Sequence, residues 1–195
     1  MKYIILTAAT SMVFLTACNS NNSQSKAVSD TVQSAQATSG NMPAATDKQQ
    51  SESPVKAIVN SYLAMKNALA IDNDKSTATA GDAMVEAFQQ FNKSSLTAEQ
   101  KKVYEDVESD AREHAEHIGK NAGNIKHQRE HFEMLSKDMY ELVKTYGAGQ
   151  QLYYDHCPMY NNGKGADWIS ETKEISNPYF GKEMSACGTV TEELK

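Results

Sequence analysis

Four successive stretches of this chain space their apolar residues as helices do, and each is bounded by residues that start or stop a helix. That pattern constrains the fold more than any other feature of the sequence. Val55, Ile58, Val59, Tyr62, Leu63, Leu69 and Ile71 form the first stripe, behind Ser53-Pro54, an N-cap followed by a proline at the first helical position. Met84, Val85, Phe88 and Phe91 mark one face of a second helix, expected from near Asp74 to near Lys93, with Gly81 and hydroxyl residues weakening its first turns. Thr97-Ala98-Glu99-Gln100 reads as a capping box, and Val103, Val107, Ala111 and Ile118 set the buried face of the third helix. Asn124 caps the fourth, whose stripe is Ile125, Phe132, Leu135, Met139, Leu142, Val143 and Tyr146 before Gly147 ends it. Short connections between four such helices predict a mainly all-α fold, an up-and-down four-helix bundle. Near residue 150 the helical rhythm stops. Leu152-Tyr153-Tyr154 reads as a short strand, and Asn161 to Gly165 and Asn177 to Gly181 as turns, with Trp168, Ile169, Ile175 and Phe180 to dock them. The expectation is a small irregular, short-strand C-terminal lobe at about 150–195, within one domain of residues 54–195.

The N-terminal part reads differently. Lys2, an apolar run from Tyr3 to Leu15, then Leu15-Thr16-Ala17-Cys18 make a secretory signal over residues 1–17, too short for a spanning helix. Small residues before a cysteine resemble the lipobox of bacterial lipoproteins. That resemblance implies that Cys18 is acylated and anchors the mature chain in the bacterial envelope, facing the periplasm; the alternative is an ordinary signal with an incidental cysteine. Residues 18–53 are rich in Ser, Gln, Asn, Ala and Thr and poor in large apolar residues, so burial does not offset their ordering entropy. They predict a disordered tether with a reach of roughly 30 Å. The formal charge is −6, and loss of Lys2 with the leader leaves 18 basic against 25 acidic residues. Such a surface argues against nucleic acid and against electrostatic attachment to anionic lipid, so membrane contact is expected through the lipid on Cys18 alone.

Removing Cys18 leaves two thiols, and each has a methionine close by: His156-Cys157-Pro158-Met159 and Met184-Ser185-Ala186-Cys187-Gly188. In an extended segment Cys157 and Met159 point the same way and His156 the other, and proline at 158 favours that extended form. Met184 and Cys187, three apart, share one side of a helical turn. The four sulfurs, with or without a nitrogen from His156, are the ligand set that a soft ion such as Cu(I) or Ag(I) prefers. Two cysteines 30 residues apart in an exported, oxidising compartment also make a disulfide, worth roughly 3 to 4 kcal/mol, with the methionines as core filler. Spacing alone admits both. The pairing of one methionine with each cysteine favours the metal.

Other chemistries find less support. His114 falls in the apolar stripe of the third helix and His117 at its edge, where they either fill the core or help to complete a metal site under the sulfur lobe. His127 and His131, at i and i+4, lack the intervening glutamate of a zinc protease and read as surface residues. His156 and Cys157 are adjacent in a strand and face apart, no Cys-x-x-Cys turn is present, and no glycine loop cradles phosphate, so the chain does not read as an enzyme.

The segments Tyr154 to Met159, Gly163 to Ser170, Ile175 to Gly181 and Met184 to Gly188 together resemble an uncharacterised bacterial envelope domain. Its members occur as stand-alone lipoproteins and as the C-terminal domain of periplasmic adaptor subunits of heavy-metal efflux pumps for copper and silver. Tyr62 to Leu69 is similar to its first helix and Gln128 to Ser136 to its fourth. The resemblance implies a helical domain with a copper site at Cys157, Met159, Met184 and Cys187. It also implies a heavy-metal efflux system or another envelope protein as partner, although no adaptor module precedes the domain in this chain.

Overall fold

The computed structural model describes residues 53–195; the leader, Cys18 and all of the expected tether except Ser53 lie outside the described residues. The chain is mainly helical, with a small three-stranded antiparallel sheet at its C-terminus. The helical stripes become α1 (Lys56–Ala70), α2 (Asp74–Gln89), α3 (Ala98–Lys120) and α4 (Ile125–Tyr146).

Local chemistry accounts for most of the ends. Asn73 accepts a hydrogen bond from the Ser76 amide to start α2, and Asn124 accepts one from the His127 amide to start α4. Thr97 and Gln100 form the expected reciprocal capping box on α3. Gly147 ends α4 with φ of 67°. Ser53, however, does not cap α1. Val55 occupies the N-cap position with no side-chain bond, and the Ser53 hydroxyl donates to the Gly147 carbonyl, fastening the start of the domain to the end of α4. Ile71 leaves the expected stripe as well, lying beyond the last turn and 55% exposed.

Each helix packs on the next in sequence, and α1 and α2 also touch α4. Gly81 explains itself here. A Cβ at that position would sit 2.8 Å from the Ala115 carbonyl and the Gly119 amide, so α2 and α3 come together backbone to backbone. The cost of glycine within a helix is offset by that close approach. On the other side of the core, Tyr62 stacks on Phe132 at 4.9 Å, and its hydroxyl meets Ser136 at 2.8 Å and the Ile169 amide at 3.1 Å.

The expected strand at residue 152 extends into β1 (Leu152–Cys157), the centre of a sheet with β2 (Ala166–Ser170) on one edge and β3 (Thr189–Leu194) on the other. Neither edge strand was predicted. β3 is exposed along most of its length and ends in Glu192, Glu193 and Leu194, so it lacks the apolar alternation that marks a strand in sequence. Its pairing with β1 and the bonds that Glu192 accepts from Tyr140 and Lys144 of α4 hold it in place. The turn expected between β1 and β2 is present, made by consecutive left-handed residues Asn161 (φ 52°) and Asn162 (φ 57°). Arg129 of α4 docks the lobe: its guanidinium donates to the Pro178 carbonyl (2.8 Å), the Leu69 carbonyl (3.0 Å) and Asp72 (2.7 Å). That hydrogen bond holds the Asp72 carboxyl below the usual range. Among the described residues no helix is long and apolar enough to cross a membrane.

Candidate metal centre

Cys157 is the last residue of β1 and fully buried, while Cys187 stands just before β3 and is half-buried. Their sulfurs lie 2.9 Å apart. That separation falls between the roughly 2.05 Å of a disulfide and the roughly 3.7 Å between two thiolates that share a tetrahedral ion at 2.3 Å bonds. A shift of under about 1 Å reaches either state. The hydrogen bond with Cys157 is the first cause, and burial the next, that pushes the Cys187 thiol up to about 11. Cys187 therefore rests as the thiol at neutral pH, within hydrogen-bonding distance of the Cys157 sulfur.

Three residues bring these segments together. Asn177 is fully buried; its side-chain amide donates to the Cys187 carbonyl (2.7 Å) while its oxygen accepts from the amides of Tyr179 and Phe180 (2.8 and 3.0 Å). Its own amide donates to the Ser185 carbonyl, so one asparagine ties the Asn177-Pro178-Tyr179 turn to the Met184–Cys187 turn. Gly188 lets the chain after Cys187 cross Trp168: with φ of 143°, a Cβ there would lie 2.8 Å from the indole ring and 3.0 Å from the His156 carbonyl. Trp168 is fully buried and faces Asp155 across the β1–β2 pair, as Ala166 faces Cys157.

The other expected ligands are placed less simply. The strand ends at Cys157, and Pro158 and Met159 form a turn in which Met159 has φ −92° and ψ −21°, so the extended Cys157-Pro158-Met159 segment is not found. Proline pre-sets φ for a turn as readily as for a strand. Met159 is 55% exposed and lines a surface cleft with Glu130, Glu133, Tyr160 and Phe180. Met184 is half-buried and opens a turn that Cys187 closes by donating its amide to the Met184 carbonyl (3.1 Å); it is a reverse turn, not the expected helical one. His156 faces away from Cys157, as strand alternation requires, and pairs through Nδ1 with Asp167 at 2.7 Å.

Residues 58–151 match the model of a family described as a protein of unknown function (DUF3347). That similarity runs from the first turn of α1 through α4 and stops before Cys157, so it includes α3 and α4 but not the thiol pair. No curated protein and no solved structure matches the chain.

His114 and His117, read as core residues or else as helpers of a metal site under the sulfur lobe, find their ring partners in His131 and His127 across the α3–α4 interface. The sequence reading therefore missed His127 and His131 as partners. A signal was present: only residues 121–124 connect α3 to α4, and His114 and His131 stand equally far from the midpoint of that connection. Asp155 was missed too. Its carboxyl is fully buried two residues before Cys157, next to the Trp168 indole but without a well-formed hydrogen bond, and burial pushes it up to about 7 against the pull of Lys66. Lys66 is itself buried and pairs with Glu171 at 2.8 Å.

Proposed function

We propose that this protein is a lipid-anchored, periplasm-facing envelope protein that binds one soft ion, Cu(I) or Ag(I), and buffers it or hands it to an export system. It acts as a carrier rather than a catalyst, on an up-and-down bundle tethered through Cys18. The observation that carries this reading is the 2.9 Å approach of Cys157 and Cys187 at the edge of the lobe. Two thiolates converging on one point are a soft donor set, and hard or borderline ions compete poorly for it once thioethers join. Met184, half-buried at the head of the Cys187 turn, supplies a thioether, while the Pro158 turn carries Met159 out to the surface cleft.

The same short separation favours a second reading, a Cys157–Cys187 disulfide that staples a structural lipoprotein. One experiment separates them. The reduced protein, kept anaerobic, is titrated with Cu(I) against a competing chelator while free thiols are counted by alkylation. The copper reading expects one ion per chain and protection of both thiols from alkylation. Failure of Cu(I) to transfer, together with a loss of a few kcal/mol of stability on reduction that copper does not restore, leaves the staple.

A further inference from the structure

Four of the five histidines lie on α3 and α4, and the other three each contact His131. His131 is at the centre. Its Nδ1 is 3.2 Å from His114 Nδ1, its ring stacks on His117 at 4.2 Å and 9°, and His127 meets it edge-on at 4.5 Å. His117 and His127 contact each other as well, with ring centres 5.8 Å apart. One nitrogen from each of His117, His127 and His131 lies within 4.8 Å of the other two. These rings are not filling the core. The side chain of His117 is 46% exposed and that of His127 32% exposed, so their convergence leaves one side open to solvent.

We propose that His117, His127 and His131 bind one divalent ion of the borderline class, Zn(II) or Cu(II), between α3 and α4. Three imidazole nitrogens on a tetrahedral ion with bonds of about 2.0–2.1 Å lie roughly 3.4 Å apart, so side-chain rotation of about 1 Å closes the set. Both helices are long and packed on each other, which keeps the ligand backbones fixed while the rings move. The Nδ1 contact with His114 commits one nitrogen of His131 and leaves Nε2 for the ion. His114 thus positions the central ligand. Two carboxylates stand behind the others: Glu130 lies 3.5 Å from His127 Nδ1 and Glu113 3.9 Å from His117 Nε2. At these separations they are charge neighbours of the rings rather than hydrogen-bond partners. Three protein nitrogens leave a fourth position for water or another ligand. Nitrogen donors and a divalent ion make this site chemically separate from the thiol pair, and it stands whether or not Cys157 and Cys187 take copper.

The test is calorimetric titration of Zn(II), and separately Cu(II), into the detergent-solubilised full chain carrying Cys157→Ala and Cys187→Ala, which removes sulfur ligation. We expect one ion per chain, and at least a 30-fold loss of affinity in His117→Gln, in His127→Gln and in His131→Gln, with the ratio of the two affinities identifying the preferred ion. His117 and His127 are partly exposed, so their variants keep the helical circular dichroism of the parent and decide the question even if His131→Gln does not fold. Absence of binding of both ions, or binding that survives His117→Gln and His127→Gln undiminished, overturns the site.

Discussion

The thiol pair and the histidine cluster are both built from converging ligand atoms, but burial acts on them in opposite senses. At Cys187 the hydrogen bond with the Cys157 sulfur, and then burial, favour the protonated thiol and push it up to about 11, so its thiolate must be drawn out by an ion. At His114 and His131 burial favours the neutral imidazole, which already is the ligating form, and both are held down. Binding of an ion at Cys187 releases its proton; at His131 it releases none. The two regions also differ in construction. The thiols meet through contacts distant in sequence, made by Asn177, Gly188 and Trp168, whereas the histidines meet because two consecutive helices fold back over a four-residue connection.

The sharpest way to break that contrast is Gly188→Ala. A β-carbon at φ 143° presses on the Trp168 ring and the His156 carbonyl, and the cost is about 2–4 kcal/mol. Trp168 is the sole tryptophan and is buried beside the site, so its fluorescence reports the lobe while far-ultraviolet circular dichroism reports the helices. In urea the fluorescence transition moves to lower denaturant, and Zn(II) affinity at the histidines stays within twofold in the folded protein. A parallel fall in zinc affinity would show that lobe and helix pair are one unit.

The sequence revealed the two regions unequally, and for physical reasons. Helix existence was legible because apolar period and capping chemistry are local: Thr97, Asn124 and Gly147 act within one turn of themselves. Residue type alone drew attention to Cys157 and Cys187, yet the residues that join them, Asn177 and Gly188, look like ordinary turn residues until the chain they touch is known. β3 was hidden because an exposed edge strand has no apolar face to display. His127 and His131 were assigned to the surface because each helix was read by itself; a ligand set split across two helices shows only when the hairpin is folded. Ser53 was misread for a similar reason, its hydroxyl being taken by Gly147 at the end of α4, distant in sequence.

A smaller effect sharpens the electrostatic side of the comparison. Asp138 on α4 is half-buried with one oxygen lacking a hydrogen-bond partner, and burial, then the nearby charge of Asp110 on α3, push its carboxyl up to about 6 from 3.8. Its folded value lies above its unfolded one, so the stability it contributes is full below about pH 4 and is lost as pH rises through about 6. Two units correspond to about 3 kcal/mol by linkage, and solvent screening at a half-buried site reduces this to about 1–2 kcal/mol. Asp138→Asn therefore gains about 1–2 kcal/mol on the parent between pH 4.5 and pH 7.5, measured as the change in the stability difference by urea unfolding. A difference that does not vary with pH would place Asp138 in the ionised state throughout.

The smallest expected change in stability, and the finest test of the sulfur site, is Met159→Leu set against Met184→Leu. Both substitutions conserve volume and apolar character, and Met159 is 55% exposed, so its variant stays within about 0.5 kcal/mol of the parent. Their effects on Cu(I) should diverge. Met184 sits half-buried in the reverse turn that carries Cys187, while the Pro158 turn takes Met159 out to the cleft beside Glu130 and Glu133. Competition with a Cu(I) chelator should show at least a tenfold loss for Met184→Leu and no more than threefold for Met159→Leu. The reverse order would mean that the Pro158 turn unwinds on loading and brings the Met159 thioether to Cys157, making that turn, rather than the Met184–Cys187 turn, the moving part of the site.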